Sequence, residues 1–147
     1  LLDASYAFGV FALAAGITTF ISGRYADRIK ENELIVVLGY GIMGIGFLGY
    51  TLVNSIWSLL VIQIIIGLGE AIYVPVFDAL YSKHLDSQKS GRVWGAWEAI
   101  NYFATAFGAV AGGLLVTFFG FNTMFVTMGL LCFASAIYIF RLQRRIL

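Results

Sequence analysis

Five long apolar runs alternate with short polar segments along the chain, covering residues 5–22, 34–53, 56–81, 93–119 and 123–140. A membrane-crossing helix needs about 20 mostly apolar residues, whereas strands of membrane barrels take about 9–11 with alternating polarity, so each run predicts a transmembrane helix. The separators differ in character. Residues 23–33 and 82–92 are charged, the break at Asn54-Ser55 is only polar, and Gly120-Phe121-Asn122 has the form of a helix-ending glycine followed by a capping asparagine. The expected fold class is therefore all-α, a polytopic membrane helix bundle of five helices forming a single unit over residues 1–147.

Composition excludes a water-soluble domain. Apolar residues make up 61% of the chain and charged ones 12%, with a mean hydropathy of +0.90; soluble domains carry about 45–50% and about 25%. A small soluble fold could not bury that much apolar surface. The first partner is thus the lipid bilayer, and a net charge of +1 gives no reason to expect nucleic acid. Cys132 stands alone in an apolar run, and His84 has no companions at metal-ligand spacing, so neither metal nor cofactor is expected.

The placement of charge then sets an orientation. Arg24, Arg28 and Lys30 lie after the first run, Lys83, Lys89 and Arg92 after the third, and Arg141, Arg144 and Arg145 after the fifth. The second and fourth connections carry no basic residue. Basic residues collect on the cytoplasmic side, which predicts an outside N-terminus and a cytoplasmic C-terminus, with the cell membrane as the expected location.

The first charged segment reads Gly23-Arg24-Tyr25-Ala26-Asp27-Arg28. It resembles the G-x-x-x-D-R loop signature of the major facilitator superfamily. The resemblance implies that Gly23, Asp27 and Arg28 form a conformational latch, the aspartate facing a helix N-terminus in one state and leaving it in another. Gln63-x-x-x-Gly67 occupies the place of the family's Arg-x-x-x-Gly, and Gly108-Ala109-Val110-Ala111-Gly112-Gly113 resembles its G-P-x-x-G-G antiporter motif, with Ala109 in place of proline and Ala104 in place of the preceding glycine. Lys30, Glu31 and Asn32 depart from the Gly and two basic residues that usually continue the loop signature. Such weakened motifs favour the second half of the family's paired repeats. The chain is accordingly expected to hold the eighth to twelfth helices, part of one six-helix repeat and a piece of a longer protein.

Candidate chemistry lies within the runs. Glu70, Asp78 and Glu98 are carboxylates at membrane depth, where charge is costly and points to function. Gln63, Gly67, Glu70, Val74, Phe77 and Tyr81 share one helical face, and Pro75 is a candidate kink. Glu70 either binds a proton or substrate or locks helices through hydrogen bonds. In the fourth run Trp94, Glu98, Asn101, Tyr102, Thr105, Gly108, Ala109 and Gly112 lie within about 120° of one another, opposite Ile100, Phe103, Phe107, Val110 and Leu114. Gln63, Glu98, Asn101 and Tyr102 are candidates for proton or substrate binding, while Gly67, Gly108, Gly112 and Gly113 suit close helix packing or a kink. A salt bridge to Arg92 or Arg28 is the ordinary expectation for Asp78, and Trp57 and Trp94 suit aromatic belts.

The expected function is secondary active transport of a small solute by alternating access, with the proton as candidate coupling ion and the remaining helices of the transporter as partners. No nucleotide-binding G-x-x-x-x-G-K-S/T is present, and neither H-E-x-x-H nor G-x-S-x-G suggests an enzyme. The alternative is a membrane sensor or assembly module that does not transport.

Overall fold

A backbone surrounded by hydrocarbon has to satisfy its own N–H and C=O groups, so each apolar run closes into helix. In the computed structural model, which describes residues 2–26, 32–83 and 90–142, the elements are α1 (Leu2–Ala26), α2 (Asn32–Gly49), α3 (Ile56–Lys83) and α4 (Ser90–Arg141), with a 3₁₀ turn at Tyr50–Leu52. Among the described residues there is no strand. All four helices are long and apolar enough to cross a membrane.

At 52 residues, α4 would span about 78 Å if straight, far more than the roughly 30 Å hydrocarbon layer. Gly120 breaks it, with φ 83° and ψ 170°, a backbone conformation open to glycine and closed to residues with a Cβ. The chain doubles back there. A Cβ at Gly112 would lie 3.9 Å from Met124 Sδ, whereas twelve residues of unbroken helix would separate them by about 18 Å. The fourth and fifth apolar runs are therefore two limbs of a hairpin, 90–119 and 121–141. Asn122, expected to cap the second limb, already lies inside it, because one glycine is enough to turn the chain.

The break between α2 and α3 is held locally. Val53 N–H donates to the Tyr50 carbonyl at 3.2 Å. Ser55 and Ser58 cap each other, Ser58 N–H reaching Ser55 Oγ at 3.2 Å and Ser55 N–H reaching Ser58 Oγ at 3.1 Å. This reciprocal pattern is that of a capping box, and it satisfies donors left over at a helix start.

α3 lies at the centre, packing against α1 and α2, while α2 also packs against α4. Its contact with α2 is backbone to backbone. A Cβ on Gly39 would lie 2.8 Å from the Gly69 carbonyl oxygen, and one on Gly69 would lie 2.9 Å from that of Gly39. α1 approaches α3 at Gly67, where a Cβ would meet the Phe11 carbonyl oxygen at 3.0 Å. The second limb of α4 meets α2 where a Cβ on Gly129 would stand 3.2 Å from the Gly44 carbonyl oxygen. Val36 and Val76, 3% and 1% exposed, form a small core beneath the stacked rings of Tyr40 and Tyr73. Most other large apolar side chains, among them Phe8, Leu13, Phe103 and Phe118, point outward, as suits a lipid-facing surface.

Pro75 sits inside α3 without ending it. Proline lacks the N–H that would bond to the carbonyl four residues back, here Ala71. Ser22 of α1 donates its hydroxyl to that freed carbonyl at 2.7 Å, tying α1 to α3.

Two outcomes follow for stability. Ser22→Ala should cost about 1–2 kcal/mol by stranding a carbonyl in an apolar setting, and the loss should nearly vanish in a Pro75→Ala background, where the substituted alanine supplies the missing N–H. Denaturant titration of the purified protein measures both, and equal losses in the two backgrounds would remove the link. Gly39→Val should cost about 1–3 kcal/mol through overpacking, whereas Gly16→Val, at a site where no described atom lies within 4 Å of the added Cβ, should be close to neutral in the same titration.

Candidate functional site

The three faces of α3 separate by helical arithmetic. At about 100° per residue, Gly69 and Tyr73 point to α2, while Gly67 and Ala71 point to α1. Glu70, Phe77 and Tyr81 fall in the sector between, within about 40° of one another. That sector receives the first limb of α4. Phe77 stacks on Trp97 at 5.1 Å between ring centres, and Tyr81 meets Trp97 at 5.2 Å and the edge of Trp94 at 5.3 Å. The Tyr81 hydroxyl reaches the Val93 carbonyl at 3.5 Å. These rings join the two helices at the end that carries the 84–89 connection, remote from Gly120. Asp78, half-buried, directly follows Phe77, and Glu98 directly follows Trp97 on the other side of this junction.

Beyond the rings the limb stands apart from the other described helices. Trp94, Trp97, Asn101, Thr105, Gly108 and Gly112 share one face, within about 80°. Trp94 and Trp97 are packed, but every residue from Glu98 to Val110 is exposed. The polar stripe of Glu98, Asn101, Tyr102 and Thr105 thus borders open space among the described residues. Glu70 is half-buried and lies seven residues from Phe77, about 10 Å along α3. Gln63 lies a further seven residues along, close to Tyr50, so it faces the α2 end of the bundle.

The small-residue segment of the first limb opens onto a cleft of about 880 Å³ between the two limbs of α4, lined by Gly108, Gly112, Gly113, Thr117, Met124 and Thr127 among others. No described atom would meet a Cβ at Gly108 or Gly113 within 4 Å. Gly23 is exposed at the end of α1, where the Arg24 guanidinium lies 4.4 Å from the centre of the Phe20 ring. Asp27 and Arg28, the other members of the expected latch, lie outside the described residues, as does His84.

Sequence reasoning did not single out the ring junction. Phe77 and Tyr81 entered only as members of a helical face, Trp94 as an interfacial residue, and Trp97 not at all. The available signal was a pair of aromatic residues near the span end on each side of one short connection. Nor did the glycines that seat the helices on one another, Gly39, Gly44, Gly69 and Gly129, stand out in a chain with 17 glycines.

Comparison with known proteins places this arrangement. A family model described as Major Facilitator Superfamily matches residues 1–146. The chain is 26% identical over 133 residues to an uncharacterized MFS-type transporter, YuxJ, of Bacillus subtilis, covering 90% of this chain and 33% of that one. It is 29% identical over 140 residues to a multi-drug resistance efflux pump PmrA homolog of Lactococcus lactis, covering 95% and 34%. A proton-coupled antiporter flippase, LtaA, of Staphylococcus epidermidis is 23% identical over 139 residues, covering 89% and 35%. No solved structure matches. The chain therefore spans about one third of the length of the relatives it matches. A helical bundle fit to cross a membrane, matched almost end to end by the family's sequence model, belongs to the Major Facilitator Superfamily.

Proposed function

We propose that this chain forms five of the crossing helices of a secondary active transporter, with the gap between α3 and the first limb of α4 as part of the solute path. The observation that carries this is the exposed polar stripe. Asn101 and Thr105 lie on the face that this membrane-spanning helix turns toward α3, with Glu98 and Tyr102 flanking it, and no described helix covers them. Polar groups at membrane depth belong against water, a ligand or another helix. Glu70 on α3 stands in the sector facing the same gap.

Both limbs of α4 cross in this proposal, giving five spans with the N-terminus outside and the C-terminus in the cytoplasm of a cell membrane, because that arrangement gathers all nine basic residues on one side. The helices correspond to the eighth to twelfth, and the transporter works by alternating access about a midplane site. Gly23, Asp27 and Arg28 serve as a latch between states. The relatives named as a multi-drug efflux pump and a proton-coupled antiporter support a proton-driven exchanger of small solutes. Glu98 and Glu70 are then the groups that take up and release the proton, and Asn101 and Tyr102 contact the solute.

Topology is checked by single cysteines in a Cys132→Ala background. Cysteines at Asn54 and Asn122 should react with an impermeant thiol reagent from outside intact cells, and those at Lys30 and Lys89 only from inside. Reaction of Lys30→Cys from outside would refute the orientation.

Coupling is checked in proteoliposomes of the full-length protein. Glu98→Gln and Glu70→Gln should fold and reach wild-type yield, yet lose most of the pH dependence of uptake. General acid–base roles are worth about 10²–10⁴-fold in rate where they operate, so a loss of about tenfold at the optimal pH is a conservative threshold. An unaltered pH profile in both variants would make the two carboxylates structural hydrogen-bonding groups.

A further inference from the structure

Glu70 stands at a break in the hydrogen bonding of its own helix. Gly67, one turn before it, is seated on the Phe11 backbone of α1, and its two chain neighbours, Gly69 and Ala71, are buried. At Ala71, 1% exposed, α3 loses a bond, because Pro75 has no N–H for the Ala71 carbonyl and its ring crowds that oxygen. The carbonyl is held from outside the helix instead, by the Ser22 hydroxyl at 2.7 Å. That hydroxyl has one proton to donate. Its own helix offers a second acceptor, the Thr19 carbonyl at 3.3 Å, so the bond across to α3 is one of two that Ser22 can make.

We propose that Ser22 is a positioning residue for Glu70: by holding the Ala71 carbonyl it fixes the angle of α3 at Pro75, and with it the place of the Glu70 carboxylate relative to Asn101 and Thr105 of α4. This rests on the function proposed above only in taking Glu70 as the group that exchanges the proton; the geometry itself is measurable without transport.

The break divides α3 into two parts with different attachments. The part before it carries Glu70 and is seated on α1 and α2 through Gly67 and Gly69. The part beyond it carries Phe77 and Tyr81, which hold the first limb of α4 through Trp97. The relation of Glu70 to the stripe is therefore set across residues 71–75. Thr105 lies eight residues from Trp97, about 12 Å along the limb. A change of about 10° in the angle of α3 at the break would move Thr105 by about 2 Å relative to Glu70, enough to make or lose a hydrogen bond. In an unbroken helix the i→i−4 bond fixes such an angle from within, whereas at a proline it depends on what the freed carbonyl meets. Ser22 suits that task because it brings no charge into an apolar interface. When its hydroxyl turns back to Thr19, no donor is stranded on α1.

The test measures spin-label distances by pulsed electron resonance in the reconstituted full-length protein, with Cys132→Ala as background. One pair, Leu68→Cys with Thr105→Cys, spans the break; the other, Ala79→Cys with Thr105→Cys, does not. Leu68 and Ala79 lie within about 20° of each other on α3, so the two pairs view the limb from the same side. Ser22→Ala should shift or broaden the Leu68–Thr105 distance by about 2 Å and leave the Ala79–Thr105 distance at its parental value. Ser22→Thr, which keeps the hydroxyl, should match the parent. Ser22→Val, of threonine's shape without the hydroxyl, should match Ser22→Ala and replaces it should that variant fail to fold. In a Pro75→Ala background, where Ala71 regains a donor from its own helix, removing the Ser22 hydroxyl should change neither distance. A merely stabilising Ser22 would alter the folded yield and not the distances within folded molecules. Parental distances in both hydroxyl-free variants would overturn the proposal, as would equal shifts in the two pairs or like behaviour of Ser22→Thr and Ser22→Val. The distances need no solute, so they fail or hold apart from the transport reading: a shift across the break beside an unaltered pH profile in Glu70→Gln upholds the positioning and removes only the proton role of Glu70.

Discussion

Two helices in lipid have no hydrophobic reason to associate, since their apolar surfaces are as well accommodated by acyl chains as by each other. What remains is close packing and the satisfaction of backbone polar groups, and α3 concentrates both. Gly69 lets it touch α2 backbone to backbone, and Gly67 lets α1 approach within reach of Ser22. Pro75 then frees the Ala71 carbonyl that Ser22 caps. Each device depends on the others. Without the approach at Gly67 the serine could not reach, and without the serine the proline would leave a bare acceptor in an apolar interface.

With two of its three faces committed in this way, α3 has one sector left, and it carries Glu70, Phe77 and Tyr81. The separation of faces gives the bundle its division of labour. Glycine-bearing faces are rigid and make the frame, while the remaining face meets α4 through rings at one end and through nothing described farther along. A polar stripe beside such an opening is costly in a passive bundle and useful in a transporter, where the same groups face water or solute in turn.

Much of this was legible in the sequence. The length and polarity of the runs located the helices, Gly120 marked the turn within α4, and a helical wheel of 93–119 grouped Glu98, Asn101 and Thr105 on one face. The neighbours of each helix were not legible. A helix apolar on all sides has no polar face to betray which side points inward, so nothing in α2 distinguished Gly39 and Gly44, which meet other helices, from Gly41, which has no described neighbour within 4 Å of an added Cβ. Gly108 and Gly113, read as packing residues, border an open cleft among the described residues, because a pairwise spacing specifies a smooth face without specifying its occupant. The ring junction escaped for a related reason: tryptophan near a span end is as expected at the membrane interface as in a contact between helices.

In the proposed transporter the stripe on the first limb of α4 faces an aqueous gap and the opposite side faces lipid. Spin labels at Asn101 and Thr105, compared with labels at Phe103 and Phe107 in reconstituted full-length protein, test it most directly through collisional relaxation by water-soluble nickel chelate and by membrane-soluble oxygen. Positions 101 and 105 should favour the nickel chelate and positions 103 and 107 should favour oxygen. Oxygen preference at all four would place the whole limb in lipid and contradict it.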